Sequence, residues 1–246
     1  MSAPVVSGKG WAMRLGDCRN LLLDFGRAEV DHVIADPPYT AHVHANLLST
    51  TAGHTSEVDA TFDHLTNLDF VRECTGIAKR WSLFFCAIEQ LGEYQAENPQ
   101  EWIRSGIYRK QRAMPQMSGD RPGNACEGIA IFHRSGRKRW NGHGTHAMWE
   151  AMPEDRSTTQ HPTAKPLDLM LQLVTLFTDP DETILDPFAG SGTTGVAALR
   201  LGRRFIGIEK DPKYFQLACD RLRAEENGST LQASRAGQEP LFKVGT

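Results

Sequence analysis

Apolar positions in this chain come in short runs broken by polar and Gly/Pro punctuation, the pattern of buried strands alternating with helices. Strands are predicted at residues 13–15, 32–35, 81–86, 128–132, 183–185 and 204–208, and Trp102 begins a further strand-like piece. Helical spacing fills the intervals at 70–78 and 91–96. A stripe of Leu167, Met170, Leu171, Val174 and Phe177 follows Pro166, which suits a first helical position. Val196 to Leu199 read as another helix. After Asp211-Pro212, an N-cap followed by proline, Phe215, Ala218 and Leu222 face inward from the last one. Residues 1–11 read as a loose start, 141–160 as polar and irregular, and 227–246 as loose.

Composition narrows this pattern. A chain of 246 residues suffices for one well-buried α/β domain, so 1–246 is expected to be a single unit. The net charge of −3 excludes a protein coated in basic surface, and any nucleic-acid contact must come from a local patch. The five cysteines are isolated and odd in number, which indicates neither a disulfide framework nor a cysteine-based zinc site. No stretch is long and apolar enough to cross a bilayer and no signal core opens the chain, so a reducing cytoplasm is expected. His42-Val43-His44, and His143 with His146, have no third ligand at matching spacing, and no metal is expected.

Candidate chemistry concentrates at strand ends. Residues 186–194, Asp-Pro-Phe-Ala-Gly-Ser-Gly-Thr-Thr, join the 183–185 strand to the next helix. Strand, glycine bend and helix opening form a geometry in which free backbone N–H groups converge on a ligand. No Gly-x-x-x-x-Gly-Lys-Ser/Thr occurs, so this is not a nucleoside triphosphate loop. The next strand ends in Glu209, roughly 20 residues past the glycines, where an acid accepts from ribose hydroxyls. Together they indicate a nucleoside-bearing cofactor without specifying which.

Asp36-Pro37-Pro38-Tyr39 ends the 32–35 strand. Two prolines remove two N–H donors and fix φ, which holds the Asp36 carboxylate and the Pro37 carbonyl as acceptors beside the flat Tyr39 ring. Two acceptors next to an aromatic plate suit a planar group bearing an NH₂; the bland alternative is an ordinary turn. Asp17, in Gly16-Asp17-Cys18, is equally well read as a helix N-cap. Lys165 either pairs with a carboxylate or is simply exposed. Residues 40–64 are long and polar for a connection, as functional lids are. The 104–140 stretch carries Arg104, Arg109, Lys110, Arg112, Arg121, Arg134, Arg137, Lys138 and Arg139 in a loop-rich setting, the place to expect a phosphate backbone unless it is a solvated face.

Taken together these pieces resemble DNA amino-methyltransferases of the circularly permuted β group, of N6-adenine or N4-cytosine type. Gly16-Asp17-Cys18, Asp36-Pro37-Pro38-Tyr39, the His161-Pro162-Thr163-Ala164-Lys165-Pro166 segment, 186–194 and Glu209 occur in that group's order. The match is clear over about residues 12–40 and 161–223. Between them Gly119-Asp120-Arg121-Pro122 and Glu127-Gly128-Ile129 look similar to phage-type members that lack a partner nuclease. Ala164 stands where the family has glutamine.

The resemblance implies a Rossmann-like, S-adenosylmethionine-dependent methyltransferase fold: a mostly parallel twisted sheet, helices on both faces, and a small target-recognition insertion at 104–160. It implies that Asp186, Phe188, Ala189, Gly190, Ser191, Gly192 and Thr193 cradle the methionine end of S-adenosyl-L-methionine. Lys165 and Thr163 would reach its carboxylate, Glu209 its ribose, and Asp17 with Cys18 its adenine. Asp36, Pro37, Pro38 and Tyr39 would be catalytic, 40–64 would close over a flipped base, and Arg109, Lys110, Arg112, Arg121, Arg137, Lys138 and Arg139 would contact duplex DNA. A bacterial or phage-encoded, cytoplasmic enzyme is implied, within or outside a restriction-modification system, with homodimerisation left open.

The activity expected first is methylation of adenine N6, because Asp rather than Ser precedes Pro-Pro-Tyr. Cytosine N4 needs the same acceptors and is the nearest alternative. RNA or protein-amide methylation, and a non-enzymatic DNA-binding protein, remain as other classes. Cytosine C5 is disfavoured by the lack of a Pro-Cys pair.

Overall fold

The computed structural model describes residues 3–38, 68–113, 119–120, 122–152 and 164–230. Nine strands form one sheet in the order β1-β2-β9-β8-β3-β4-β6-β5-β7. They are β1 (Val5–Gly8), β2 (Trp11–Leu15), β3 (His32–Ala35), β4 (Trp81–Cys86), β5 (Trp102–Lys110), β6 (Cys126–His133), β7 (Met148–Ala151), β8 (Thr183–Asp186) and β9 (Arg204–Glu209). The helices are α1 (Cys18–Leu21), α2 (Phe70–Ile77), α3 (Leu91–Glu97), α4 (Leu167–Phe177), α5 (Thr193–Arg200) and α6 (Pro212–Glu226).

Period-two alternation along the strands divides the core in two. Ile34, Trp81, Leu83, Phe85, Ile184 and Phe205 point to one face, where they meet Leu173, Val174, Ala197, Ala198, Ala218 and Leu222 of α4, α5 and α6. Val33, Ala35, Phe84, Cys86, Leu185 and Ile208 point to the other, toward Leu21, Val71, Cys74, Ile77, Leu91 and Tyr94 of α1, α2 and α3. Strands buried on both faces explain why the 81–86 and 183–185 runs lack polar alternation. A sheet with helices on both faces, parallel from β2 to β4 and antiparallel where β6 joins it, agrees with the expected fold.

Three expectations need correction. The loose start contains β1, which pairs antiparallel with β2. The strand begun by Trp102 runs on to Lys110, so Arg104, Arg109 and Lys110 lie on a strand rather than in a loop. Within the stretch read as irregular, β7 adds in parallel to β5 at the sheet edge. Alternation was obscured in β5 by its exposed charged residues, and β7 is only four residues long.

The site is located by topology. β8 and β3 are neighbours, yet the chain leaves β8 toward β9 on one side and β3 toward β4 on the other. Such a reversal opens a crevice at the carboxyl ends of the two strands, where open α/β sheets bind ligands.

Candidate active site

Four parallel strand tips line up along this edge. Gly16 N–H, just past β2, donates to the Glu209 carbonyl at 2.9 Å, and Ala189 N–H, just past β8, donates to the Ile208 carbonyl at 2.9 Å. Asp17 and Cys18, Glu209, the glycine bend and Asp36 are thereby brought onto consecutive tips, β2, β9, β8 and β3. Residues scattered over most of the chain meet because the sheet order differs from the chain order.

Asp186, the last residue of β8, is 2% exposed. Its carboxylate accepts from Phe188 N–H at 3.0 Å and from the Thr194 hydroxyl at 2.6 Å. Burial pushes its pKa up to about 7 against those two bonds, helped by the neighbouring charges of Asp36 and Glu209. The strand that carries Asp36 at its tip, β3, is the parallel neighbour of β8. The Phe188 ring packs edge-on against Phe70, with centroids 5.2 Å apart.

The bend turns through two left-handed residues, Gly190 at φ 52° and Gly192 at φ 78°. A Cβ on Gly192 would lie 3.0 Å from the Ala218 Cβ on α6. Gly190 N–H donates to Glu209 Oε2 at 2.7 Å, and Asp211 N–H donates to Oε1 at 2.7 Å. With the Lys210 N–H as a third backbone donor, the carboxylate keeps acceptor capacity for another donor. Burial raises the Glu209 pKa despite these backbone donors. The Ser191 and Thr193 hydroxyls accept from the Arg221 guanidinium at 2.9 and 3.0 Å, and the Ser191 carbonyl does so at 2.8 Å. Both hydroxyls are thereby tied to α6 as acceptors and keep their O–H hydrogens to donate. Arg221 was missed in the sequence because only the packing of α6 brings it to the bend.

Asp17 caps α1, accepting from Arg19 N–H at 2.9 Å, so the helix-cap expectation holds. The Arg19 side chain, also bonded to that carboxylate, holds its pKa low. Cys18 beside it is buried, and burial pushes its thiol up to about 12.

Asp36 does not stand alone. The Lys165 ammonium lies 2.7 Å from each Asp36 oxygen and 3.1 Å from Glu127 Oε2. Lys110 reaches Glu127 Oε1 at 2.6 Å, and the Phe85 ring centroid lies 4.9 Å from the Lys165 nitrogen. Lys165 is thus paired with carboxylates, the first of its two sequence-level alternatives. Burial raises the Asp36 pKa, opposed by Lys165. Burial also disfavours the Glu127 charge, but Lys165 and Lys110 outweigh it and hold its pKa at about 2. Glu127 carried no signal as a site residue in the sequence. It reaches Asp36 only because β6 runs antiparallel to β4, with Cys86 opposite Gly128.

The basic residues divide between the two ends of the sheet. β5 ends where β6 begins, Arg109 opposite Cys126, so Arg109, Lys110 and Arg112 lie at the carboxyl edge with Asp36. Arg109 makes a bidentate pair with Glu150 at 2.6 and 2.5 Å, and Arg112 is exposed at φ 54°. Arg137, Lys138 and Arg139 follow the other end of β6 and are not brought to the crevice. The Arg139 carbonyl accepts from Trp81, the first residue of β4, and its guanidinium pairs with Asp179 at 3.0 Å ahead of β8. Tyr39, Thr163, Arg121 and the 40–64 segment lie outside the described residues.

With this geometry in view, the chain belongs to the DNA methylases of N6/N4 type, a family whose pattern matches residues 30–220. It is 30% identical over 243 residues to the Type II methyltransferase M.HinfI of Haemophilus influenzae, a match covering 85% of this chain and 67% of that protein. Among solved structures, the M1.HpyAVI–SAM complex superposes with a TM-score of 0.65 at 24% identity, over 85% of this chain and 98% of that one. The cytosine-N4-specific PvuII DNA methyltransferase gives 0.69 at 14% identity, over 96% and 93%. At these identities the two structures establish the fold.

S-adenosyl-L-methionine is the cofactor of such a methylase, and the residues present fit it. Its ribose diol, cationic sulfonium and ammonium call for carboxylate acceptors, and the edge carries Asp17, Glu209 and Asp186. The left-handed glycines keep side chains out of the bend that would receive it. Among the described residues no group of three or more His, Cys, Asp or Glu side chains could hold a metal ion, and no helix is long and apolar enough to cross a membrane.

Proposed function

We propose that the protein is a site-specific DNA methyltransferase that methylates the N6 amine of adenine in duplex DNA, acting on a base flipped out of the helix. The observation that carries this is the Asp36 carboxylate, poised on the β3 tip next to the β8 glycine bend and paired with the Lys165 ammonium.

An adenine amine is a poor nucleophile because its lone pair is delocalised into the ring. Hydrogen bonds from the NH₂ to Asp36 and to the Pro37 carbonyl favour a pyramidal nitrogen with its lone pair free for attack. Positive charge then develops on that nitrogen, the Asp36 carboxylate stabilises it, and loss of one amine proton leaves the methylated amine neutral. S-adenosylmethionine, bound, supplies a methyl group on a cationic sulfur. Asp186, Phe188, Ala189, Gly190, Ser191, Gly192 and Thr193 would hold its methionine end, Glu209 its ribose, and Asp17 and Cys18 its adenine. Thr163 and Lys165 complete the proposed cofactor set, with Lys165 shared with Asp36.

Extruding the base costs a few kcal/mol. Stacking on Tyr39 would return about 1–3 kcal/mol of this. Duplex DNA is proposed to lie over the carboxyl edge, where Arg109, Lys110 and Arg112 sit, with Arg121 and the 40–64 segment as further contacts.

Adenine is favoured over cytosine by Asp rather than Ser at position 36. Mass spectrometry of nucleosides from duplex DNA treated with the enzyme and S-adenosylmethionine tests this. N6-methyladenine is expected; N4-methylcytosine alone would overturn the assignment.

A further inference from the structure

Asp36 faces a conflict. The substrate amine needs its oxygens as acceptors, yet both lie 2.7 Å from the Lys165 ammonium. A carboxylate oxygen that accepts from Lys165 keeps a lone pair for a second donor, but an amine that develops positive charge there does so against the ammonium, and the Lys165 side chain, only 12% exposed, cannot simply retreat into water. Among the described residues, Glu127 is a second carboxylate within its reach. Glu127 Oε2 is buried and lies 3.1 Å from the Lys165 nitrogen, a longer ion pair than the 2.7 Å contacts to Asp36. Its carboxylate is anchored at the other oxygen by Lys110 at 2.6 Å. A small rotation of the Lys165 amine would exchange Asp36 for Glu127.

We propose that Glu127 is a positioning residue: it takes the Lys165 ammonium as the target amine takes Asp36, so that Asp36 is released as an acceptor while no buried charge is left unpaired. Lys165 thus acts as a stand-in for the substrate amine, donating to the oxygens that the base will use. The inference rests on Asp36 being the amine acceptor.

Among the described residues, the charged and titratable groups facing Asp36 are Lys165 ahead of α4, Glu127 and Lys110 from β6 and β5, Asp186 from β8 and Cys86 from β4. Of these, Glu127 is a negative charge that raises the Asp36 pKa. Glu127→Gln therefore leaves Lys165 fixed on Asp36 and makes Asp36 easier to ionise.

The test is single-turnover methylation of duplex DNA across pH, with S-adenosylmethionine affinity measured by calorimetry. Glu127→Gln is expected to lower the plateau rate roughly tenfold or more, to move the acidic limb to lower pH, and to leave cofactor affinity unchanged. Glu127→Asp should recover much of the rate. In a Lys165→Met background, assayed at S-adenosylmethionine saturating for that variant because Lys165 also belongs to the proposed cofactor set, the Glu127→Gln loss should disappear, because no ammonium remains to be received. A wild-type profile in Glu127→Gln, or a loss that persists undiminished in the Lys165→Met background, would overturn the proposal. Asp36→Asn run alongside separates the two levels: full turnover there would remove Asp36 as the acceptor and the underlying function with it.

Discussion

Gly192 sits at φ 78° with the Ala218 Cβ 3.0 Å from where its own Cβ would be, so backbone conformation and packing both demand glycine there. Asp186, six residues earlier, is the opposite kind of residue, a carboxyl kept buried at a cost. Its pKa of about 7 exceeds its ordinary value of 3.8, so between those limits the folded state binds the proton more tightly than the unfolded chain. Stability contributed by the bound proton is present at low pH and is lost as pH rises toward about 7. The effect is on the order of a few kcal/mol. Asp186→Asn, which carries no charge, should therefore gain stability relative to wild type between pH 3.8 and about 7 and level off above. Thermal or urea unfolding of both proteins across pH measures it; a difference that does not change with pH would contradict the account. At this scale the sequence was most legible where chemistry depends on residue type alone, as in Asp36, Glu209 and the glycines. Glu127 and Arg221 were not legible, because nothing local distinguishes them from surface charges.

Among elements, β8, its bend and α5 form the unit that the sequence announced: a β-branched run, two glycines and an apolar helix. What holds the bend is supplied by α6. Arg221 donates to the Ser191 carbonyl and to the Ser191 and Thr193 hydroxyls at 2.8, 2.9 and 3.0 Å. Charge-assisted bonds of this kind contribute about 1.5–3 kcal/mol each in mutational series, so their loss loosens the bend more than the fold. Arg221→Met should raise the KM for S-adenosylmethionine about tenfold with a smaller change in kcat. A KM at the wild-type value would show that the bend needs no tie to α6. Strands at the margin were hard to read for a physical reason. β1 exposes most of its residues, β5 alternates only in part, and β7 is too short for any period to show. Each is ordered by pairing with a neighbour rather than by its own sequence pattern.

At the level of the whole molecule, sheet topology decides which charges can serve one substrate. The 104–140 stretch reads as a single basic patch along the chain, but β5 and β6 run antiparallel and carry its two halves to opposite ends of the sheet. Arg112 stands on the crevice side, whereas Arg137, Lys138 and Arg139 stand at the amino ends of the parallel strands, where Arg139 pairs with Asp179. Arg112→Ala should flatten the salt dependence of DNA binding by about 0.9 in log–log slope if it meets one phosphate. Replacing Arg137, Lys138 and Arg139 together by alanine should leave the slope unchanged; a reduction by about two or more would place DNA at the wrong end of the sheet. The fold class was legible because strand and helix periods alternate along the chain. The meeting of the 36–38 corner with the glycine bend was readable only by resemblance, since strand order is not written in any local pattern.

The central claim is that Asp36 accepts the target amine in a crevice whose cofactor contacts are made mainly on the β8, β9 and β2 tips, with Lys165 shared between the two. It is tested most directly by Asp36→Ala, assayed for S-adenosylmethionine binding by calorimetry and for methyl transfer to duplex DNA in the same preparation. The account predicts that the variant binds cofactor and transfers no methyl group. Turnover undiminished from wild type would contradict it.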